Sequence, residues 1–379
     1  MMKSTLLIVS FFLALFVNSS LTLGQQSNGP TARAGQLLNS GDIKGAIAIL
    51  DKAIIRKTDL LEVYKMRSFL RSMSGNLTGS VDDLTSAIEL KSDEGDLYEN
   101  RAMARMRIRQ DQLLILKDFD SAIQFGRKLD RVYGLRASIH RNMGENAAAL
   151  LDYQSAIDIR PENPGAHVGM ASIYLQAGND EKAVEILENF LTVYGSSSDG
   201  KRKIKSRAVI GTIVPLPSDP KVGIQHMETV IVESGESRST APSREDIGKF
   251  EQEMEDSKNI ALAYTTLASA YANKNEYEKA LITVEKAIKK DNSDFYALEV
   301  RGRIKVGLGD FQNAINDLNV SIRSFPGNPQ VYLDRGIAYL MLGKESEAQQ
   351  DFGKYLQLYP NGKQTLGKRI EEAKAKWSR

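Results

Sequence analysis

The chain contains no cysteine and only three histidines among its 379 residues. Without cysteine it can form neither disulfide bonds nor thiolate metal sites, and it has no cysteine nucleophile. His140, His167 and His226 lie far apart in the sequence, which argues against a polyhistidine metal site. We therefore expect neither a bound metal nor another cofactor.

An excess of charge of one sign is also lacking. Lys and Arg total 50 and Asp and Glu total 48, so the formal net charge is only +2. This balance does not favour nucleic acid or an anionic membrane as a partner. The sequence has no glycine-rich phosphate loop, no nucleophile elbow and no histidine–carboxylate cluster at metal spacing. It predicts a protein that is not an enzyme, with a hydrolase built on residues 195–242 kept as an alternative.

The N-terminus has the pattern of an export signal. A positive region ending at Lys3 precedes an apolar run from Leu6 to Val17, and small residues follow at Thr22 and Gly24. This pattern predicts a secretory signal over residues 1–24. The run is shorter than the ~20 residues that a membrane span needs, and an uncleaved anchor is the alternative. Since no cysteine follows, a lipoprotein anchor is excluded, and we expect a secreted or periplasmic protein without a stable membrane span.

A unit of two helices recurs along the chain. Between residues 150 and 187, apolar residues at helical spacing are interrupted by Pro161 and Pro164. Because proline ends a helix at this kind of position, the stretch predicts the second helix of one unit followed by the first helix of the next. The same frame is found in eight places. The first copy includes Ala34, Gly41, Ala46 and Leu50, and the fourth includes Tyr133, Ala137, Gly144 and Ala149. The eighth includes Tyr332, Gly336, Gly343 and Ala348.

This frame resembles the tetratricopeptide repeat, which has a 34-residue period with aromatic, small, alanine and proline positions. The eight copies cover about 27–194 and 261–362. The resemblance implies an all-α fold, a right-handed α-solenoid of about eight helix-turn-helix repeats with an irregular insert. A single helix pair cannot bury its apolar face alone, so stacking of neighbours has to supply the core.

The predicted organisation has five parts. They are a signal peptide (1–24), repeats one to five (27–194), an irregular insert (195–242), repeats six to eight with an extended leading helix (243–362), and a C-terminal capping helix (363–379). We expect each group of repeats to hold its own stacked core.

The insert and its C-terminal flank have recognisable local features. The basic run Lys201–Arg207 is typical of a solvated loop, with binding to nucleic acid or acidic lipid as the alternative. "AVIGTIVPLP" and "METVIVES" are β-rich and could pair as a ribbon. Ser243–Asp246 resembles a capping box at the start of the long helix.

Arginine and aspartate occur together at fixed slots of the repeats. The predicted ion pairs are Arg67 with Asp83, Arg101 with Asp118, Arg136 with Asp152, Arg301 with Asp317, and Arg335 with Asp351. Repeats five and six lose both partners together, and Arg33 opposite Ile49 breaks the rule. Because a buried arginine without its carboxylate destabilises a protein, co-occurrence indicates structural contact. One alternative is a ladder of these arginines that binds an anionic ligand. Another is an aromatic binding strip formed by the tyrosine series, which consists of Tyr64, Tyr98, Tyr133, Tyr264 and Tyr332.

The resemblance also implies a concave groove lined by the first helices, where a peptide or protein surface binds. The groove positions are Lys65, Phe69, Glu99, Met103, Met106, Arg107, Ser138, Arg141, Asn142, Ser172, Ser269 and Arg303. Some family members hold a C-terminal carboxylate with residues from three consecutive repeats. Lys65, Asn100 and Arg131 match three of those positions, but Phe69 and Leu135 occupy the other two, which puts such a clamp in doubt.

The sequence therefore predicts an extracytoplasmic scaffold that binds a protein or peptide in a concave groove. The alternative is an accessory subunit or chaperone-like factor for an enzyme complex of cell-envelope assembly or secretion. Both rest on the resemblance, because a fold does not fix a function.

Overall fold

The computed structural model describes residues 29–195 and 244–377. In these ranges the chain forms seventeen α-helices, and every regular element is helical. The helices of repeats one to four are α1 (Pro30–Asn39), α2 (Ile43–Ile55), α3 (Leu60–Met73), α4 (Leu77–Leu90), α5 (Gly95–Arg107), α6 (Gln112–Gln124), α7 (Asp130–Asn142) and α8 (Asn146–Ile159). They are followed by α9 (Pro164–Gln176), α10 (Asp180–Tyr194), α11 (Arg244–Asn273), α12 (Tyr277–Lys290), α13 (Phe295–Leu308), α14 (Phe311–Ser324), α15 (Pro329–Met341), α16 (Glu345–Leu358) and α17 (Lys363–Trp377).

Several sequence predictions lie outside the described residues. They are the signal peptide 1–24, the insert from residue 196 onward with its basic run and β-rich stretches, and the start of the capping box at Ser243.

The turn between the two helices of each repeat uses one left-handed backbone position. Six repeats place glycine there, at Gly41, Gly75, Gly144, Gly178, Gly309 and Gly343, with φ between +72° and +85°. The third and sixth repeats instead have Arg109 at φ +55° and Asn275 at φ +61°. Glycine adopts this conformation without a steric penalty, and asparagine tolerates it, whereas an arginine side chain disfavours it.

Small residues bring the two helices of a repeat together. Ala137, Ala149 and Ala156 are fully buried between neighbouring helices. In repeats seven and eight the equivalent of Ala137 is glycine, at Gly302 and Gly336, where an added Cβ would lie 2.6 Å from the side chain of Leu318 and of Phe352 respectively. The larger side chain of the second helix therefore occupies the space of the missing Cβ.

The stack is continuous across the point where the insert leaves the chain. Helix α11 packs against both α9 and α10, and one hydrophobic cluster runs from Val168 to Ile304. Tyr271 of α11 donates a hydrogen bond to Glu188 of α10, and Asn273 donates to Asp180 at 3.0 Å. Each group of repeats also holds clusters of its own, so the shared cluster of repeats five and six adds a joint between two groups that each have a stacked core.

The last helix covers the end of the stack. On α17, Leu366 is buried in the core of the last two repeats, and Ile370 packs against the same cluster. Trp377 meets Phe311 edge-on with ring centroids 5.8 Å apart, and Arg369 forms an ion pair with the fully buried Asp334 at 2.9 Å. No helix within the two described ranges has the length and apolar character needed to cross a membrane.

Candidate binding groove

All five arginine–aspartate pairs are in contact. The shortest guanidinium–carboxylate distances are 2.5 Å for Arg67–Asp83, 2.7 Å for Arg101–Asp118, 2.6 Å for Arg136–Asp152, 2.7 Å for Arg301–Asp317 and 2.7 Å for Arg335–Asp351. The aspartates are buried, with exposures between 1% and 6%. Each pair joins the first and second helices of its own repeat, and desolvated, charge-assisted bonds of this kind are strong.

Most of these arginines also bind the second helix of the preceding repeat. Nη1 of Arg67 lies 2.6 Å from Asp51, and that of Arg136 lies 2.7 Å from Asp120. Arg335 donates to the side-chain oxygen of Asn319 at 2.6 Å. This contact was not predictable from the sequence, because the residue type of the partner, 16 residues before the arginine, changes from repeat to repeat.

The tyrosine series is part of the same arrangement. The guanidinium groups of Arg67, Arg101, Arg136 and Arg335 lie over the rings of Tyr64, Tyr98, Tyr133 and Tyr332 at 5.6–5.8 Å from the centroid. These arginines and rings are thus engaged with one another and with carboxylates between the helices.

The first three repeats offer few free groove residues. Glu99 is only 2% exposed and binds Arg127 and Arg131 at 2.7 Å each. Its assignment to a ligand-facing position is therefore wrong in this structure, because two arginines enclose it. Lys65, which matches a clamp position together with Arg131 and Asn100, forms an ion pair with Glu94.

The other groove positions of these repeats differ in exposure. Phe69 is half-buried and packs against the core of the first two repeats, while Met106 packs against the next cluster. Met103 is half-buried, and Arg107 is exposed at the end of α5.

The structure brings four of the predicted groove residues together in one cavity of about 550 Å³. They are Arg141 of α7, Ser172 of α9, Ser269 of α11 and Arg303 of α13. The same cavity is lined by Tyr153, Leu262, Thr266, Asn273 and Tyr296, which sequence reasoning missed. Of the remaining predicted positions, Ser138 bonds back to the carbonyl of Leu135 at 2.7 Å, and Asn142 is exposed.

The cavity forms where the repeats have small groove residues. Ser138, Ser172 and Ser269 occupy the same position of the first helix in repeats four, five and six, where Phe69 and Met103 occupy it in repeats two and three. On its wall, the ring of Tyr153 lies against α9 at Gly169, where an added Cβ would be 2.3 Å from the ring. The three serines at one position of successive repeats could therefore have predicted a cavity in this part of the groove.

The cavity is positively charged. It is lined by Arg141 and Arg303 and by no aspartate or glutamate. Arg303 donates to the hydroxyl of Ser269 at 2.5 Å, and its buried Nε has no hydrogen-bond partner. Burial raises the pKa of the Tyr153 phenol, and the nearby charge of Arg141 opposes that rise.

The hydroxyls of Ser172 and Thr266 are already used as donors. Ser172 donates to the carbonyl of Val168 at 2.7 Å, and Thr266 donates to that of Leu262 at 2.8 Å. The two guanidinium groups are therefore the strong donors of the cavity, beside the apolar surfaces of Leu262 and the tyrosine rings. Among the described residues there is no group of three histidine, aspartate or glutamate side chains suited to a metal ion.

Family comparisons agree with the repeats seen in the structure. Three family models, each described as a tetratricopeptide repeat, match residues 142–190, 261–294 and 299–363. A curated TPR repeat-containing protein of Rhizobium etli is 27% identical over 89 residues, which are 24% of this chain and 44% of that protein. The chain thus matches less than half the length of this curated relative.

Two solved structures resemble the whole stack. A tetratricopeptide repeat protein from Parabacteroides merdae has a TM-score of 0.52 at 16% identity, covering 83% of this chain and 98% of its own. The APC/C hetero-tetramer Cut9–Hcn1 contains a chain with a TM-score of 0.54 at 13% identity, covering 97% of this chain and 59% of its own. At these identities the likeness shows the fold alone, and it confirms the predicted all-α solenoid.

Proposed function

We propose that this chain, which belongs to the tetratricopeptide-repeat family, is a non-catalytic scaffold that binds a segment of another protein outside the cytoplasm. Repeat arrays of this kind present an extended concave surface for binding. The observation that supports the proposal is the cavity between α7 and α13, lined by two arginines without a carboxylate. Binding in that cavity requires no chemistry beyond hydrogen bonds, ion pairs and apolar contact.

The proposed compartment rests on the N-terminal sequence. The positive start, the apolar run and the small residues before position 25 have the pattern of a cleaved secretory signal. N-terminal sequencing of the native protein should return Gln25 as the first residue, and fractionation should find it outside the cytoplasm. A mature chain that began at Met1 or Met2 would contradict this part of the proposal.

The binding site is tested by filling the cavity. Ser172→Trp places a bulky ring at the half-buried Ser172, whereas Leu151→Trp adds a ring at a position that is 72% exposed on α8. Both variants are used to capture partners from the native compartment, followed by mass spectrometry. We expect Ser172→Trp to lose the partners that the wild type and Leu151→Trp retain. Equal capture by all three proteins would place binding elsewhere.

A further inference from the structure

We propose that the cavity between α7 and α13 recognises an acidic protein segment, in which two aspartate or glutamate side chains flank an apolar residue. The inference rests on the proposed function and adds the chemistry of the partner. Arg141 and Arg303 each bind one carboxylate, and the apolar side chain packs between them against Leu262 and Tyr296.

The two cavity arginines differ from four other half-buried cations of first helices. Lys65, Arg71, Arg105 and Lys305 each form an ion pair with a carboxylate of this chain. Among the described residues, the side chain of Arg141 has neither a hydrogen bond nor an ion pair, and Arg303 bonds only to the neutral Ser269. The cavity therefore holds two guanidinium groups that form no salt bridge with a carboxylate of the described residues, although the charge of Arg303 acts on Glu299 at longer range.

Arg303 is the better defined of the two. Its Nε is buried without a hydrogen-bond partner, and unsatisfied buried donors are uncommon and require an explanation. Glu299 lies one turn earlier on α13. Its carboxylate accepts a hydrogen bond from Asn328 at 2.8 Å and interacts with the charge of Arg303 without a hydrogen bond to it. A carboxylate from outside the chain would supply the missing partner.

The positions of the arginines favour two separate carboxylates. Neighbouring first helices are in contact in the order α7, α9, α11 and α13, and packed helices lie about 8–10 Å apart. Arg141 is on the first helix of this row and Arg303 is on the last. Because two other first helices lie between those of Arg141 and Arg303, two acidic side chains of one segment can each pair with one arginine.

The surface between the arginines suits a protein segment. Leu262, which is 37% exposed, and Tyr296, which is 38% exposed, offer apolar contact inside the cavity. Polyanions such as nucleic acids are bound chiefly through many phosphate contacts to a basic surface, whereas this chain has a net charge of only +2. Side chains of aspartate and glutamate combined with an apolar residue match the cavity better.

The test uses the full mature chain and a synthetic peptide library that is acetylated at the N-terminus and amidated at the C-terminus. One half of the library has two Asp or Glu residues separated by variable uncharged residues, and the matched half has Asn or Gln instead. Binding is measured by fluorescence anisotropy at several salt concentrations. We expect binding from the acidic half, weakened by salt, and a loss of about tenfold when either acidic residue is neutralised.

The variants Arg141→Gln and Arg303→Gln should each weaken binding of the selected peptides by about tenfold, since each removes one charged hydrogen-bond partner. Arg323→Gln, at an exposed arginine in the last turn of α14 and outside the groove, is the matched control and should leave affinity unchanged. Thermal melting separates binding from folding. Because the Arg141 side chain makes no hydrogen bond or ion pair, the melting temperature of Arg141→Gln should equal that of the wild type, and that of Arg303→Gln should fall only slightly through the changed bond to Ser269.

The outcomes distinguish this inference from the proposed function. If peptides bind and Ser172→Trp abolishes binding, but acidic residues and both arginines have no effect, the acidic preference is wrong and the groove function stands. If binding requires a free C-terminal carboxylate, the assignment to side chains is wrong. If Ser172→Trp binds peptides as well as the wild type does, both the inference and the proposed groove are wrong.

Discussion

At the scale of single residues, the arginine–aspartate slots show which contacts a repeated sequence pattern can predict and which it cannot. The co-occurrence of Arg136 and Asp152 predicted their contact, because both residue types are lost together in other repeats. The contact of Arg136 with Asp120 was not predictable, because the equivalent position holds threonine in one repeat and asparagine in another. Because the residue type at this exposed position differs between repeats, no recurring pattern in the sequence indicates the contact.

Removal of one partner of a buried pair should be costly. Arg136→Ala leaves Asp152, which is 5% exposed, without its main partner, and we expect a loss of about 1–4 kcal/mol in the free energy of unfolding. The double variant Arg136→Leu with Asp152→Ile should recover most of that loss, because no buried charge remains. Denaturant unfolding measures all variants, with Arg107→Ala as an exposed control. A double variant as unstable as the sum of its singles would refute the pairing.

Glu299 gives the stability a pH dependence. Burial raises its pKa above the ordinary value of 4.5, although the hydrogen bond from Asn328 opposes the rise. Between 4.5 and the higher folded pKa the folded state holds more protons than the unfolded state, so the stability from this group is present at low pH and lost as pH rises.

The expected result is that Glu299→Gln raises the melting temperature at pH 7, since the neutral amide can still accept from Asn328. The difference from the wild type should shrink toward pH 4.5. Glu162→Gln, at an exposed carboxylate, is the control and should change little. A destabilised Glu299→Gln at pH 7 would show that the charged form is the favoured one.

At the scale of helices and turns, the repeat frame predicted the pairs of helices well. Proline at Pro161 and the small residues at Ala137 and Ala149 have the same effect in any copy of the frame, so their positions could be read from the sequence. The left-handed backbone at Arg109 could not, because arginine is not a residue that signals this conformation. The left-handed conformation of Arg109 can be inferred only because other repeats have glycine at the same position.

Arg109→Gly should therefore stabilise the third repeat. A left-handed backbone costs a non-glycine residue roughly 1–2 kcal/mol, and part of this gain is cancelled by the greater freedom of glycine in the unfolded chain. We expect a net gain of about 1 kcal/mol in the free energy of unfolding. Asn275→Gly is the matched comparison and should gain less, because asparagine tolerates this conformation. The reverse change, Gly75→Arg, should destabilise, and no change in any of the three would contradict the argument.

At the scale of the whole molecule, the sequence showed that the frame resumes after the insert but not that the two groups of repeats join. Repeats five and six replace the arginine–aspartate pair by Met170 with Ile186 and by Leu267 with Thr283. Such a replacement indicates that these positions are buried, but it does not indicate which helix they pack against. The structure resolves the question by placing α11 against α9 and α10.

This arrangement predicts that the fold does not depend on the segment after Gly195. Replacement of residues 196–240 by a Gly-Ser linker of ~20 residues should preserve the far-UV circular dichroism signal and one cooperative melting transition. A change in loop length alone costs only about 0.6 kcal/mol per doubling. Loss of the transition, or its division into two, would show that the removed segment contributes to the core.

The packing of α10 on α11 also has a consequence for the integrity of the chain. Phe190 and Leu191 on one side and Ile260 and Leu267 on the other are buried in the same cluster, so the two groups of repeats adhere without help from the peptide bonds that connect them. A protease cut after the lysines and arginines of residues 201–207 should give two fragments on a denaturing gel. The same sample should elute from a sizing column as one particle at its original volume. If the two fragments are separated and then mixed, they should associate again. The chain could then be supplied as two separate polypeptides that assemble into the same fold.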